Sequence, residues 1–299
     1  MNPNLLNNQK NKITASIFLS SFSSIASLLI SLISIPILTR YAGPVVFGQI
    51  IFAATLSEFF FNFSSLGLKA ELFTRLTKNN DIENIKRISV NVFLMQAIAA
   101  ATLFTVCCLA SLFLNLDNST WLIYITSFPV ILAAIFYVPY YLLELDNRLY
   151  VISSSKLLAN IVGLGLLSLA ILNKFPFYLI SSFRSSIPFT SFFSTILRIK
   201  KNINKISTIK LSEYFNLTLI NELFFESFPN LFRNTFQFLT GSINIFLLQL
   251  LSSSAELGIF SASYRISIAY YFLFASVTNG LRPTIFKLFH SDKEKFSKI

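Results

Sequence analysis

Long apolar runs fill most of this chain, and the polar residues between them come in short, mainly basic segments. Runs such as 13–39 and 88–114 are long enough, as helices, to cross the roughly 30 Å of a bilayer's hydrocarbon core. They show no period-two alternation of the kind a barrel strand carries. In lipid every backbone amide must find its partner within the segment, so these runs predict helices. The predicted spans are 13–39, 47–68, 88–114, 121–143, 150–172, 175–197, 223–251 and 257–281. The predicted fold class is all-α, a polytopic membrane helix bundle of about eight transmembrane helices.

Charge orients these spans. With a cytoplasmic N-terminus, Arg75, Lys78, Lys86, Arg87, Arg148, Arg198, Lys200, Lys201, Lys205, Lys210, Lys287, Lys293, Lys295 and Lys298 all fall on the cytoplasmic side, and the opposite side holds little beyond Arg40 and Lys174. Basic residues near span ends resist translocation, so both termini are expected in the cytoplasm. The first run follows an Asn-rich leader with Lys10 and Lys12 and exceeds the core of a cleavable signal peptide, which predicts a retained anchor. The basic connection 198–222 divides an N-terminal lobe, 1–197, from 223–299, read as the opening pair of helices of a second lobe plus a tail. A weak echo supports the division: Leu38 stands ten residues before Gly48, and Leu248 ten before Gly258, each pair bracketing an outer turn. Parallel repeats of this sort are a common transporter construction.

Composition narrows the function classes. Hydrophobic residues make up 54% and charged residues 12% of the 299, against roughly 25% charged in soluble domains. The net charge of +11 sits at span ends and not on a patch, which points to membrane topology and away from nucleic acid. Cys107 and Cys108 are adjacent within one run, a spacing that builds neither a disulfide framework nor a metal site. The lone histidine, His290, lies beyond the last span, so no histidine-dependent triad is available. No Gly-rich phosphate loop is present, and the outer loops are too short for a catalytic domain. The expectation is a protein that is not an enzyme, with no catalytic residue, metal or cofactor.

Polar residues inside the spans carry the remaining chemistry. An ionisable side chain at mid-bilayer costs about 2.5–3.5 kcal/mol on insertion scales, so it is expected to face a partner or a wet cavity. The densest stripe is in 223–251 and its lead-in: Glu222, Glu226, Asn230, Arg233, Gln237 and Asn244. Thinner stripes are Glu58, Asn62 and Ser65; Lys156, Asn160 and Gly163; Arg184, Pro188, Ser191 and Thr195; and Ser261 with Arg265. One reading has these stripes converge on a lumen, where Arg184, Arg233 and Arg265, with Gln237 and Asn230, hold an anionic substrate. The other has small polar groups and ion pairs that join helices. Glu58, Glu222 and Glu226 are candidates for proton or cation coupling, or equally for interhelical pairing. Lys156 and Arg40 read as interfacial anchors. Pro36, Pro129, Pro139, Pro188 and Pro229 lie in or at the ends of spans, where a missing amide donor can bend a helix.

The stretch IPILTRYAGPVVFG at 35–48, followed by Leu66, Gly67 and Leu68, resembles the first-to-second-helix motif of bacterial polysaccharide flippases, O-antigen flippases above all. The stretch SAELGIFSASYRI at 254–266 resembles that family's turn into its eighth helix, with Pro283 after it. These motifs also mark the wider superfamily of multidrug, oligosaccharidyl-lipid and polysaccharide exporters. The resemblance implies a two-lobed carrier in the bacterial cytoplasmic (inner) membrane that moves an undecaprenyl-pyrophosphate-linked oligosaccharide between leaflets. It implies a glycan polymerase and glycosyltransferases as working partners. It also implies further helices beyond the eighth, so a C-terminally shortened chain, or a second chain supplying them, is expected. The alternatives are a cation-coupled multidrug exporter and a non-transporting remnant or assembly partner, with a membrane glycan polymerase ranked last.

Overall fold

The structure is a computed structural model that describes residues 3–78, 81–113, 116–146, 148–199 and 214–267. Helix α1 (Pro3–Ser64) is followed by α2 (Leu68–Lys78), α3 (Ile82–Phe113), α4 (Asn118–Ser127), a 3-10 segment (Phe128–Phe136), α5 (Tyr137–Leu145), α6 (Leu149–Leu172), α7 (Phe177–Ile199), α8 (Leu217–Leu251) and α9 (Ser254–Ser267). The described residues contain no strand, and the protein is a polytopic membrane helix bundle. The stretches Ile25–Lys78, Ile82–Phe113, Asn118–Leu145 and Leu149–Leu172 are each long and apolar enough to cross a membrane. The basic segment 200–213, the predicted last span beyond Ser267, His290 and Pro283 lie outside the described residues.

Helix α1 is two spans joined through one residue. Gly43 has φ +72° and ψ 169°, left-handed geometry that glycine adopts without a Cβ penalty. Pro44 then restarts the helix with its φ already set and no amide left unpaired. The arms lie side by side, because Ile35 and Leu38 of the first share a core cluster with Phe47 and Ile51 of the second. The loop expected at 40–46 is thus a single-residue reversal.

The later helices alternate in direction, and their connections gather at two ends. At one end the Tyr41 hydroxyl donates to the Phe175 carbonyl at 3.2 Å, and its ring meets Phe177 edge-on at 5.6 Å. At the other, Lys69 pairs with Glu144 at 2.7 Å. There Asn91, fully buried in α3, holds the start of α8: its Nδ2 donates to the Tyr214 carbonyl at 2.9 Å and its Oδ1 accepts from the Asn216 amide at 3.0 Å. Asn216 in turn caps α8 by accepting from the Leu219 amide at 3.0 Å. This clamp explains why α8 begins six residues before the predicted 223. Arg75, Lys78, Lys86, Arg87, Arg148 and Arg198 all belong to this second, basic end, with the α2 turn and the α5–α6 connection.

The predicted fourth span is continuous in length but not in type. Pro129 opens a nine-residue 3-10 segment and Pro139 sits in the first turn of α5. Pro36, Pro188 and Pro229 remain inside unbroken helices. Cys107 is buried in the cluster of Ile50, Ile123, Tyr124 and Phe128, as a packing residue would be.

Candidate functional site

A cavity of about 290 Å³ lies inside the bundle, between both arms of α1, the α4–3-10 junction, α6 and α7. Its apolar wall includes Ile35, Leu38, Phe47, Ile50, Leu167 and Ile180. Its polar wall brings together Glu58, Asn160, Arg184, Ser127, Ser181 and Ser185. Three thin stripes of the sequence therefore meet here: Glu58 from the second arm of α1, Asn160 and Gly163 from α6, and Arg184 and Pro188 from α7. The serines are tied to one another across α4 and α7. Ser127 and Ser181 share a hydrogen bond of 2.6 Å, and Ser185 donates to the Thr126 carbonyl at 2.8 Å.

Glu58 and Arg184 carry opposite charges on one space, and the Glu58 carboxylate acts electrostatically on the guanidinium. Among the described residues they do not close an ion pair within 4.0 Å, and neither side chain has a hydrogen-bond partner. A guanidinium offers five donors in a planar fork, so an open one within a membrane bundle suits an oxyanion, and an open carboxylate beside it suits a proton or cation. Asn62 and Ser65, the other members of the Glu58 stripe, are spent on the helix backbone: Asn62 donates to the Glu58 carbonyl and Ser65 to the Asn62 carbonyl. Ser191 bonds the Tyr140 hydroxyl at 3.0 Å, which places the end of the Arg184 stripe in helix packing.

The α8 stripe does not reach this cavity. At about 100° per residue, Glu222, Glu226, Arg233, Gln237 and Asn244 share an arc of about 60°. All of them are exposed at the surface of the described chain, and Asn230 is half-buried beside them. A second exposed face lies roughly 130° around the helix. There Phe224, Phe228, Phe232 and Phe236 form a ladder with ring centroids 6.2, 4.8 and 6.2 Å apart. The third face, with Leu219, Leu223, Ser227, Leu231 and Ile245, is buried. Among the described residues Arg233 has no hydrogen bond or ion pair. Arg265 belongs to α9, but its side chain lies outside the described residues; Ser261, one turn before it, is buried. Lys156 and Arg40 are exposed.

Glu222 and Glu226 instead join a cluster at the basic end that sequence reasoning missed. Arg75 of α2 donates from Nε to Glu71 at 2.9 Å, from Nη1 to Glu222 at 3.4 Å and from Nη2 to Glu226 at 2.6 Å. Helix α2 has 11 residues, about 16 Å, and is too short to cross a bilayer. Burial, and then the nearby Glu226 carboxylate, raise the Glu71 pKa above its ordinary value. Burial pulls Arg75 down, but hydrogen bonds to Glu226 and Glu71 outweigh it and leave the guanidinium above its usual range. The Glu71–Arg75 spacing of one helical turn was the visible signal; that α8 would supply two more carboxylates was not. Among the described residues no group of three or more His, Cys, Asp or Glu is arranged to hold a metal ion.

No curated protein and no solved structure matches the chain. A family model described as polysaccharide biosynthesis protein matches residues 13–289, which takes in every helix described above except the first turns of α1. A multi-pass bundle of apolar helices around a charged cavity, matched over nearly its whole length, belongs to the polysaccharide biosynthesis protein family.

Proposed function

We propose that this chain is a flippase that carries an undecaprenyl-pyrophosphate-linked oligosaccharide, an O-antigen or related surface-glycan unit, across the bacterial cytoplasmic membrane. The observation that carries this reading is the pair of unclosed opposite charges, Arg184 and Glu58, on one cavity inside a membrane bundle. The guanidinium receives the pyrophosphate, whose oxygens match its donors. Glu58 takes up a proton or cation when the anion binds and gives it up when the anion leaves, so the cavity is not left with an unbalanced charge. Arg233 and Arg265, with Asn230 and Gln237, serve the same cargo along α8 and α9. The basic end faces the cytoplasm, as the distribution of Lys and Arg requires. The protein acts as a carrier without bond chemistry, alongside the polymerase and glycosyltransferases that consume and supply its cargo.

Flipping of a fluorescent lipid-linked oligosaccharide in proteoliposomes tests this. A charge-assisted hydrogen bond to phosphate is worth about 1.5–3 kcal/mol, so Arg184→Gln is expected to slow flipping roughly tenfold or more. Arg40→Gln, exposed beside the Gly43 reversal of α1 and not part of the cavity lining, is expected to flip at the parental rate. Parental rates in both Arg184→Gln and the Arg233→Ala, Arg265→Ala double variant would remove the reading. Drug efflux without glycolipid flipping would favour the multidrug exporter.

A further inference from the structure

We propose that Arg75 is a latch that holds the basic end of the α2–α8 seam shut, and that this seam opens when the latch is released. Three carboxylates surround one guanidinium: Glu71 on its own helix, and Glu222 and Glu226 on α8. The pairs with Glu222 and Glu226 join α2 to α8. Take Arg75 away and both ion pairs across the seam are lost: Lys78 still acts on Glu226 electrostatically but closes no ion pair with it among the described residues. One guanidinium thus closes the ionic part of the contact, and its release leaves the α8 carboxylates free to separate from α2.

The exposures suit a reversible contact. Arg75 and Glu71 retain 21% and 15% side-chain exposure, whereas Glu222 and Glu226 keep 55% and 50%, so the α8 partners can return to water when the seam parts. Just inside the latch, the seam joins close backbone contact to apolar packing, with Leu68, Leu72, Leu219 and Leu223 in one core cluster. Gly67, at φ +66°, lies against Ser227 and the Asn230–Leu231 peptide, where a Cβ would come within 2.4 Å of the Leu231 amide nitrogen. A glycine at the contact lets the two backbones slide past each other, and the ion pairs add a directional restraint to the apolar packing.

Spin-label distances on the full chain in lipid nanodiscs test the latch without any substrate, so the outcome is independent of whether the protein flips glycolipid. Labels at Thr77→Cys on α2 and Asn221→Cys on α8, both exposed, span the seam in a Cys107→Ser, Cys108→Ser background. The parent is expected to give mainly the short distance. Arg75→Ala should shift the short-to-long ratio at least fivefold, a coupling on the scale of an allosteric switch. The swap Arg75→Glu with Glu226→Arg should restore the short distance. Glu222→Gln with Glu226→Gln, which preserves shape, provides the opening test should the Arg75 variants not fold. An unchanged distance distribution in the folded variants, or no recovery in the swap, would overturn the proposal.

Discussion

Gly48 and Gly258 meet where the α1 reversal crosses the α8–α9 turn, and a Cβ on either would run into the backbone of the opposite hairpin. A Cβ on Gly48 would lie 1.9 Å from the Ser254 carbonyl oxygen, and one on Gly258 would lie 2.1 Å from the Pro44 carbonyl oxygen. The contact is reciprocal at a constant separation of 210 residues: 44 answers 254, and 48 answers 258. The same offset relates Ile35 to Ile245, Leu38 to Leu248 and Phe47 to Leu257, all of which belong to one cluster. The ten-residue echo in the sequence is therefore a quasi-twofold crossing of two helical hairpins.

Both glycines face carbonyl oxygens of the backbone, which cannot rotate away. Gly48→Ala and Gly258→Ala must push the hairpins apart and are expected to cost about 1–3 kcal/mol or more. Gly165→Ala and Gly241→Ala, where a Cβ meets nothing within 4 Å, are the controls. They should be neutral or stabilising, since alanine favours helix over glycine by up to about 1 kcal/mol. Thermal unfolding in detergent, followed by size-exclusion profile, compares the four; equal midpoints would dismiss the crossing as a structural determinant.

A similar comparison separates strain from sterics at two turns. Gly43→Ala and Gly67→Ala both place alanine at positive φ, but only Gly67 lies against another helix. Gly43→Ala is expected to cost about 1–2 kcal/mol of backbone strain alone. Gly67→Ala should cost measurably more, because the α8 backbone stands in its way. Equal losses of stability would place the whole penalty in φ.

The fold was legible because apolar run length and charge placement act locally, and lipid leaves the backbone little choice but helix. What escaped the sequence depended on contacts between distant helices. Nothing around Asn91 in the sequence marks it out, yet it sets where α8 begins. The polar stripes were visible one helix at a time, but not which would share a space: Glu58, Asn160 and Arg184 line one cavity, whereas the α8 stripe lies apart from it. Arg75 read as a topology charge because its α8 partners stand about 150 residues away in sequence.

Within the Arg75 cluster the carboxylates are not equivalent. Glu71 is the one that burial and Glu226 disfavour as an anion, so its charge contributes least to the contact. Glu71→Gln keeps an oxygen for the Arg75 Nε and is expected to stay within about 0.5 kcal/mol of the parent. Glu226→Gln removes the charge from the shortest contact, at 2.6 Å, and should destabilise more. Unfolding midpoints of the two variants decide this, and a larger loss from Glu71→Gln would reverse the assignment.

The cavity charges can be separated from their structural role by a double-variant cycle. Neutralising Arg184 alone leaves Glu58 without an opposing charge, and the reverse holds for Glu58. Glu58→Gln and Arg184→Gln are each expected to lower stability, and the double variant to recover part of it, because single removal strands a charge. Flipping should not recover with stability. A double variant that regains both would mean that the pair serves packing only.

Helix α8 presents a sharp physical contrast among the described residues: an exposed polar flank and an exposed phenylalanine ladder on the same helix. An arginine in contact with acyl chains near mid-bilayer would cost about 2.5–3.5 kcal/mol, whereas exposed phenylalanines are stable there. The Arg233 flank is thus expected to meet water or polar cargo, and the ladder to meet lipid. Single cysteines at 226, 233 and 237 should react with a membrane-impermeant maleimide at least about ten times faster than cysteines at 228, 232 and 236, since thiolate formation needs water. The Cys107→Ser, Cys108→Ser background keeps the native thiols out of the signal. Uniformly slow labelling on both flanks would place the Arg233 face against lipid, and α8 would then have no part in a polar path.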